Sequence, residues 1–286
     1  MLKISMPSGH LLCTGVLFTL ATGAWAQAPA QTQAIDGILT ASRTHRVVAV
    51  SEVHRVVQPM EFLLELIRTP GFGDFVNDVV IEFGNALHQS VLDRYIEGKH
   101  VAPTELRRVW ADTTVVNGLW EAPMYERFVT GIRERNLRLP KRQKARVLAC
   151  DPPIDWSRVQ AISDAAPHLR RDSFCASLVE RDVYNKGRRA LVVMGSAHVT
   201  SRHMNGDALS NVVTMIEEKY PGSVFTVLTW DENMKDKPLI EQKTKRGAGA
   251  FSNPDERYMA WRAARSAAQS TDANARPAAE RQSSKR

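Results

Sequence analysis

Short apolar runs without polar alternation recur along the chain and predict buried β-strands. Four of them lead straight into residues that can act in catalysis: RVVAV precedes Ser51–His54, DVVI precedes Glu82, RVLAC precedes Asp151, and ALVVM precedes Gly195–His198. Runs of this kind are typical of parallel strands covered on both faces by helices. Because ligands bind beyond the carboxyl ends of such strands, we expect these polar residues to meet in one crevice.

Segments with apolar residues at helical spacing separate the predicted strands. QPMEFLLELIR at Gln58–Arg68 is the clearest, and similar segments lie at Ser173–Tyr184 and Asp207–Lys219. A further strand is predicted at Ser223–Thr229, after a Pro-Gly turn. Strands that alternate with helices predict an α/β fold with a mostly parallel central sheet flanked by helices.

The segment after the second core strand is strongly helical and predicts an insertion at about residues 86–138. The predicted helices lie at Ala86–Glu97, Pro103–Trp110 and Met124–Asn136. Two interpretations stay open, plain core packing and a lid over substrate, because insertions after active-site strands commonly carry lids. The aromatic residues of the insertion fit either one: Trp110, Trp120, Tyr125 and Phe128.

Residues 1–26 predict a secretory signal peptide. An early Lys3 precedes an apolar stretch at Leu11–Ala21, and a small-x-small pattern ends at Ala26. The apolar stretch is about half the length of a membrane-spanning helix. We therefore expect export to the periplasm or beyond the cell, with no transmembrane segment after signal cleavage. A linker at Gln27–Gln33 is expected next, with the fold beginning near Ile35.

The formal charge of +7 is a property of the tail and not of the fold. From Lys243 onward the chain has ten basic and four acidic residues, and Lys3 adds one more positive charge. Residues 27–242 are therefore neutral and are predicted to form a single α/β domain, whereas residues 243–286 predict a basic, disordered tail. A domain without a basic groove argues against a nucleic-acid partner.

Two cysteines remain after the predicted signal peptide. Cys150 ends a predicted strand and Cys175 lies on a predicted helix. An oxidising compartment permits a disulfide between them. Since pairing requires that strand and that helix to touch, we favour two buried thiols that act as small apolar side chains.

The residues at the strand ends suit acid and base chemistry. A carboxylate such as Glu52 orients a neighbouring imidazole such as His54 and raises its proton affinity, as a general base acting on water requires. A carboxylate that follows a buried strand, as Glu82 does, must be hydrogen-bonded, paired or functional. His198 lies in a tight turn where Gly195 allows the backbone to approach a ligand closely.

Other residues and missing motifs narrow the chemistry. Asp151 either joins the site or only shapes the turn at Pro152-Pro153, and Arg171 can supply a cation for a developing oxyanion. The chain has no G-x-S-x-G elbow, glycine-rich phosphate loop, H-E-x-x-H helix or C-x-x-C pair. Water activated by a His–Glu pair and a metal held by two histidines and a carboxylate both stay open.

At these positions the chain resembles the superfamily of erythromycin esterases, ChaN-like haem-binding lipoproteins and TraB/Tiki proteins. That superfamily is marked by two G-x-x-H motifs with a glutamate between them. The second motif is intact at Gly195–His198, the first has serine in place of glycine at Ser51–His54, and Glu82 lies between. Arg171 is similar to an arginine that esterase members place beside the site. The resemblance spans roughly residues 45–230.

The resemblance implies an exported, esterase-like hydrolase. Similarity to the esterase members implies that His54 activates water without a metal or other cofactor. Glu52 and Glu82 would orient and charge-balance that base, His198 would polarise or protonate a small-molecule or peptide substrate, and Arg171 would steady negative charge.

The other branches of the superfamily imply different activities. Similarity to the ChaN-like members implies haem or metal binding, and similarity to the Tiki-like members implies a metal-dependent peptidase. In those alternatives His54, His198 and Glu82 would be the ligands.

Overall fold

The computed structural model describes residues 22–115, 118–200 and 210–229, with side chains from residue 32 onward. The predicted tail at residues 243–286 lies outside the described residues. So does the predicted signal peptide at residues 1–26, apart from the backbone of residues 22–26.

The described part of the chain contains five strands and ten α-helices, with short 3-10 helices in some of the connections. The strands are β1 (Val47–Glu52), β2 (Asp78–Asn85), β3 (Arg146–Asp151), β4 (Ala190–Gly195) and β5 (Val224–Val227). The helices are α1 (Thr22–Thr44), α2 (Val57–Arg68), α3 (Phe72–Phe75), α4 (Gln89–Ile96), α5 (Pro103–Ala111), α6 (Pro123–Leu137), α7 (Ile162–Ala165), α8 (Arg171–Val179), α9 (Ser196–Val199) and α10 (Val212–Lys219). A π-helical turn at Glu180–Tyr184 continues α8.

The five strands form one sheet in the order β3-β2-β4-β1-β5, and every pair is parallel. The predicted α/β fold is confirmed. The register aligns β1 with β4, so that Val47 lies opposite Ala190 and Glu52 lies opposite Gly195. Since β2, β4 and β1 are neighbours, the residues at their carboxyl ends come together at the middle of one sheet edge.

The two faces of the sheet have separate apolar cores. Alternate strand residues such as Val48 and Ile81 pack with the first helices and the insertion, whereas Ala49 and Val80 pack on the other face with α8 and α10. Successive strand residues point to opposite faces, so burial on both sides explains the unbroken apolar runs.

The helical insertion between β2 and β3 packs into the first of these cores. Its helices α4, α5 and α6 contribute Leu92, Trp110 and Phe128, all nearly inaccessible to solvent. Plain packing therefore accounts for most of its aromatic residues.

Several element boundaries differ from the sequence prediction, among them the helix predicted at Asp207–Lys219, which is described as Val212–Lys219, and the strand predicted at Ser223–Thr229, which is Val224–Val227. The predicted linker at residues 27–33 has a helical backbone within α1, because its alanines and glutamines favour helix. The side chains of Ile35, Ile38 and Ala41 pack into the core as expected for a fold that begins near Ile35. Glu82 lies within β2 and not at its end, since that strand continues to Asn85.

Cys150 and Cys175 form a disulfide, and the prediction of two free thiols is wrong. Their Cα atoms are 5.1 Å apart. Helix α8 packs directly against β3, so the contact between strand and helix that pairing requires is present. Among the described helices, none combines the length and apolarity needed to cross a membrane.

Candidate active site

The site lies where β1, β2 and β4 end side by side. Glu52 is the last residue of β1 and His54 follows two residues later. Glu82 extends from β2, and Gly195 ends β4 just before His198 in α9. The structure therefore brings together the histidines and glutamates that the sequence singled out.

Glu52 and His54 form a hydrogen-bonded pair. Oε1 of the buried Glu52 contacts Nδ1 of His54, whose side chain is 33% exposed. In the neutral ring this contact places the proton on Nδ1 and leaves Nε2 as the proton acceptor. Burial raises the pKa of Glu52, and the contact with His54 offsets part of that rise. The second oxygen of Glu52, Oε2, is buried and has no hydrogen-bond partner among the described residues.

The insertion fixes the backbone and ring of His54. The next residue, Arg55, has a φ of 65°, a left-handed conformation that costs free energy for any residue except glycine. The N–H of Arg55 donates to the hydroxyl of Tyr125 at 3.2 Å. The ring of Trp120 meets the His54 ring edge-on, with centroids 4.8 Å apart. Trp120 and Tyr125 thus serve the site as well as the core.

Glu82 is the centre of a buried charged network. Its Oε1 accepts from Nη2 of Arg171 at 2.8 Å and lies 3.2 Å from Nε2 of His198. Its Oε2 accepts from the N–H of Gly195 at 2.6 Å. Burial alone would raise the pKa of Glu82, but His198 and Arg171 hold it well below its usual range. Glu82 is therefore a permanent anion.

His198 is enclosed by two carboxylates. Its Nδ1 lies 2.7 Å from Oδ1 of Asp172, and its Nε2 faces Glu82. Burial lowers the pKa of His198, but the hydrogen bonds to Asp172 and Glu82 outweigh it and raise the pKa to about 9. At neutral pH the ring is consequently a cation, and it is no proton acceptor.

Arg171 joins three elements of the fold. From the start of α8 it donates through Nε to Asp151 at 2.9 Å and through Nη2 to Glu82. Asp151 also accepts from the backbone N–H and the hydroxyl of Thr114, both at 2.6 Å. Asp151 is thus part of the network and does more than shape the following turn.

Gly195 is the point of closest approach between β4 and the histidine–glutamate pair. A Cβ atom at this position would lie 2.7 Å from Cε1 and 2.9 Å from Nε2 of His54. With a φ of −58°, the backbone of Gly195 suits any residue. The glycine of this motif is therefore required by space and not by backbone conformation.

We expect Gly195→Ala to destabilise the protein by about 1–3 kcal/mol, because the new methyl group displaces the His54 ring. Urea unfolding at 25 °C measures the change. Gly37→Ala is the matched control, since a Cβ at Gly37 meets nothing within 4 Å. Equal effects of the two substitutions would contradict the close approach.

Several members of the site carried little sequence signal. Asp172, the partner of His198, is a charged residue at the start of a helix, a position where solvated carboxylates are common. Thr114 lies in the loop after α5 without any recognisable motif. Ser51, which replaces the motif glycine, accepts from the N–H of Thr229 at 2.7 Å, so its hydroxyl ties β1 to the end of β5.

The side chains fit a divalent metal ion in part. Ligand atoms of Glu52, His54 and Glu82 lie within 4.8 Å of one another, and Oε2 of Glu52 lacks a hydrogen-bond partner among the described residues. Glu82, however, already faces Arg171, Gly195 and His198. Since both ring nitrogens of His198 contact carboxylates, His198 does not fit as a ligand to a metal or to haem iron.

Comparisons with known proteins find partial structural similarity alone. No protein-family model and no curated protein matches the chain. One similar solved structure is ChaN of Campylobacter jejuni, described as binding haem cofacially, at 15% identity and a TM-score of 0.45, over 69% of this chain and 86% of that one. Another is a Bacillus cereus protein, at 10% identity and a TM-score of 0.46, over 68% of each chain.

Proposed function

We propose that the protein is an exported, esterase-like hydrolase that activates water with the Glu52–His54 pair. One observation carries this proposal: a buried carboxylate holds Nδ1 of a partly exposed histidine, which makes Nε2 the proton-accepting nitrogen of the neutral ring. A carboxylate that fixes the tautomer and orientation of an imidazole in this way is a common arrangement for a general base that acts on water.

The reaction follows from these positions. Nε2 of His54 takes a proton from water while the water oxygen attacks the carbonyl carbon of an ester. His198 would stabilise the negative charge that develops on the carbonyl oxygen through its positive charge and not through a hydrogen bond, since both of its ring nitrogens already face carboxylates. The protonated His54 then returns its proton to the leaving alcohol, and a carboxylic acid is released. Glu82 charge-balances the two histidines.

Arg171 has a positioning role in this proposal. Its Nε and Nη2 donate to Asp151 and Glu82, so Arg171 stabilises these two carboxylates and not an oxyanion of the substrate. The sequence-based hypothesis of an oxyanion contact from Arg171 is therefore replaced by a role in holding Glu82.

Export is supported by two independent features. The N-terminal residues carry the pattern of a signal peptide, and the Cys150–Cys175 disulfide suits an oxidising compartment outside the cytoplasm.

The decisive experiment compares the parent protein with His54→Gln on a panel of ester and peptide substrates. We expect the parent to cleave at least one ester and His54→Gln to be slower by about 100-fold, the usual contribution of a general base. The exposed His100 provides the control substitution, His100→Gln. Equal rates for the parent and His54→Gln would remove His54 from the mechanism.

A metal-dependent hydrolase is the second candidate, favoured by Oε2 of Glu52, which has no hydrogen-bond partner among the described residues. Glu52, His54 and Glu82 would hold the ion, and a bound divalent metal would supply a Lewis acid and a more acidic water. Metal analysis, together with activity before and after chelation, separates the two candidates. Activity lost with the chelator and restored by one metal favours the second, and a Soret band in the purified protein would instead indicate haem binding.

A further inference from the structure

The Cys150–Cys175 disulfide lies directly beside the charged network. Cys150 immediately precedes Asp151, the partner of Arg171. Cys175 lies one helical turn after Arg171 on α8, and both cysteines are fully buried. Two adjacent residues of β3 are therefore connected to α8. Cys150 is bonded covalently to Cys175, and Asp151 forms an ion pair with Arg171, one turn earlier on the helix.

Helix α8 begins with the two residues that the site takes from it. Arg171 and Asp172 are its first residues, and the residue before them, Arg170, makes no side-chain cap. The helix has nine residues before its π-helical continuation. Helices of that length are marginal by themselves, and the uncapped first turn is the part that opens most readily.

Tertiary contacts must therefore hold the start of α8 in place. Leu178 and Val179, near the far end of the helix, belong to the core on that face of the sheet. The backbone N–H of Val212 donates to Oδ1 of Asp172 at 3.2 Å, and the disulfide adds a covalent link one turn after Arg171. The disulfide also reaches β4, since the sulfur of Cys175 lies 3.7 Å from the sulfur of Met194, the residue before Gly195.

We infer that the Cys150–Cys175 disulfide is a positioning element of the site, which fixes the first turn of α8 so that Arg171 holds Glu82 and Asp172 holds His198. Its effect on turnover rests on the proposed function, whereas its effect on the geometry of α8 does not. The disulfide touches no reacting atom and acts only through these two side chains.

The test starts from the full chain purified from an oxidising compartment. Peptide mapping by mass spectrometry should find Cys150 and Cys175 in one cross-linked pair, lighter by two hydrogen atoms than the reduced peptides. Free thiols at both positions in that material would overturn the inference. The double variant Cys150→Ala/Cys175→Ala then removes the bond.

Amide hydrogen exchange measures the effect on α8 without any substrate. We expect exchange at residues 171–176 to become faster by about 10-fold in the double variant, with α4 and α6 unchanged. The control is Leu92→Ala, a cavity in α4 that destabilises the protein without touching α8. Uniform acceleration over all helices in the double variant would show a purely structural disulfide and overturn the positioning role.

Kinetics on the best ester of the panel complete the test. We expect kcat to fall by about 10- to 100-fold with little change in KM, because a small misplacement of site residues affects the reaction more than binding. Leu92→Ala should keep its kcat. A double variant with parental kcat and parental exchange at α8 would refute the inference. A parent inactive on all substrates defeats the proposed function, and hydrogen exchange still decides the role of the disulfide.

If the double variant does not fold, the parent protein with the disulfide reduced is compared with the same protein after oxidation. Protein made in a reducing cytoplasm is compared before and after oxidation with oxidised glutathione. Slower exchange at residues 171–176 and a higher kcat after oxidation are expected. Identical exchange and kcat in both states would overturn the inference.

Discussion

Replacing Arg171 by methionine is expected to lower the free energy of unfolding by about 3–5 kcal/mol. Methionine keeps much of the apolar stem of the side chain but removes both of its charged contacts. Glu82 and Asp151, which are 1% exposed each, would lose the cation that lies between them. Glu82 would keep the N–H of Gly195 and the cation of His198. Asp151 would keep the neutral donors of Thr114, but its buried charge would lose its compensating cation.

Urea unfolding at 25 °C and pH 7 measures the loss, which is a large share of the total stability of a typical domain. The neighbouring Arg170 offers a matched control, because its side chain is exposed and Arg170→Met should change stability by less than about 0.5 kcal/mol. The double variant Arg171→Met/Asp151→Asn should recover part of the loss, since one uncompensated charge is removed with its partner. A single variant within about 1 kcal/mol of the parent would contradict the network, given the cost expected for a buried, unpaired carboxylate.

The second large effect is a loss of stability as the pH rises from about 6.5 to 9. His198 has its pKa raised from 6.5 to about 9 in the folded protein by Asp172 and Glu82, against the lowering effect of burial. The folded state therefore binds this proton more tightly than the unfolded chain. The stabilisation is fully present below pH 6.5 and disappears as the pH passes through 9. Its size is about 3 kcal/mol.

Comparison with His198→Gln isolates this contribution. Glutamine keeps a hydrogen-bonding amide in place of the ring but cannot titrate. The parent should therefore lose stability more steeply than the variant between pH 6.5 and 9, while all other titrating groups contribute equally to both curves. Denaturant unfolding at several pH values, in the presence of a chelator, gives the two slopes. Parallel curves would show that His198 is not a cation in the folded protein.

The sheet and the central residues of the site could be predicted from the sequence, because each depends on local pattern. Unbroken apolar runs marked strands buried on both faces, and parallel strands align their carboxyl ends. The central residues of the site follow or end those runs, namely Glu52, His54, Glu82 and His198. Their convergence could therefore be predicted once the strands were assigned to one parallel sheet. The closeness of Glu52 to His54 required even less, since both lie in one short segment.

The partners of these residues could not be predicted, because they depend on packing between distant elements. Thr114 reaches Asp151 only because the insertion folds back over β3. Asp172 reaches His198 only because α8 packs on the sheet face where Cys175 contacts Met194 near the end of β4. The disulfide has the same origin: Cys150 and Cys175 pair because of how α8 packs on β3, which neither flanking sequence specifies. Tertiary contacts of this kind produce no periodic pattern in the sequence from which they could be predicted.

The partners of Glu82 lie far from it in the sequence, and this determines when the site can form during folding. Arg171 lies 89 positions from Glu82 and the amide of Gly195 lies 113 positions away, so no early portion of the chain assembles the site. A chain that is still extended holds its acidic groups and imidazoles far apart and chemically idle. Competence arrives late, when the fourth strand joins the sheet and delivers Gly195 and His198 to Glu82.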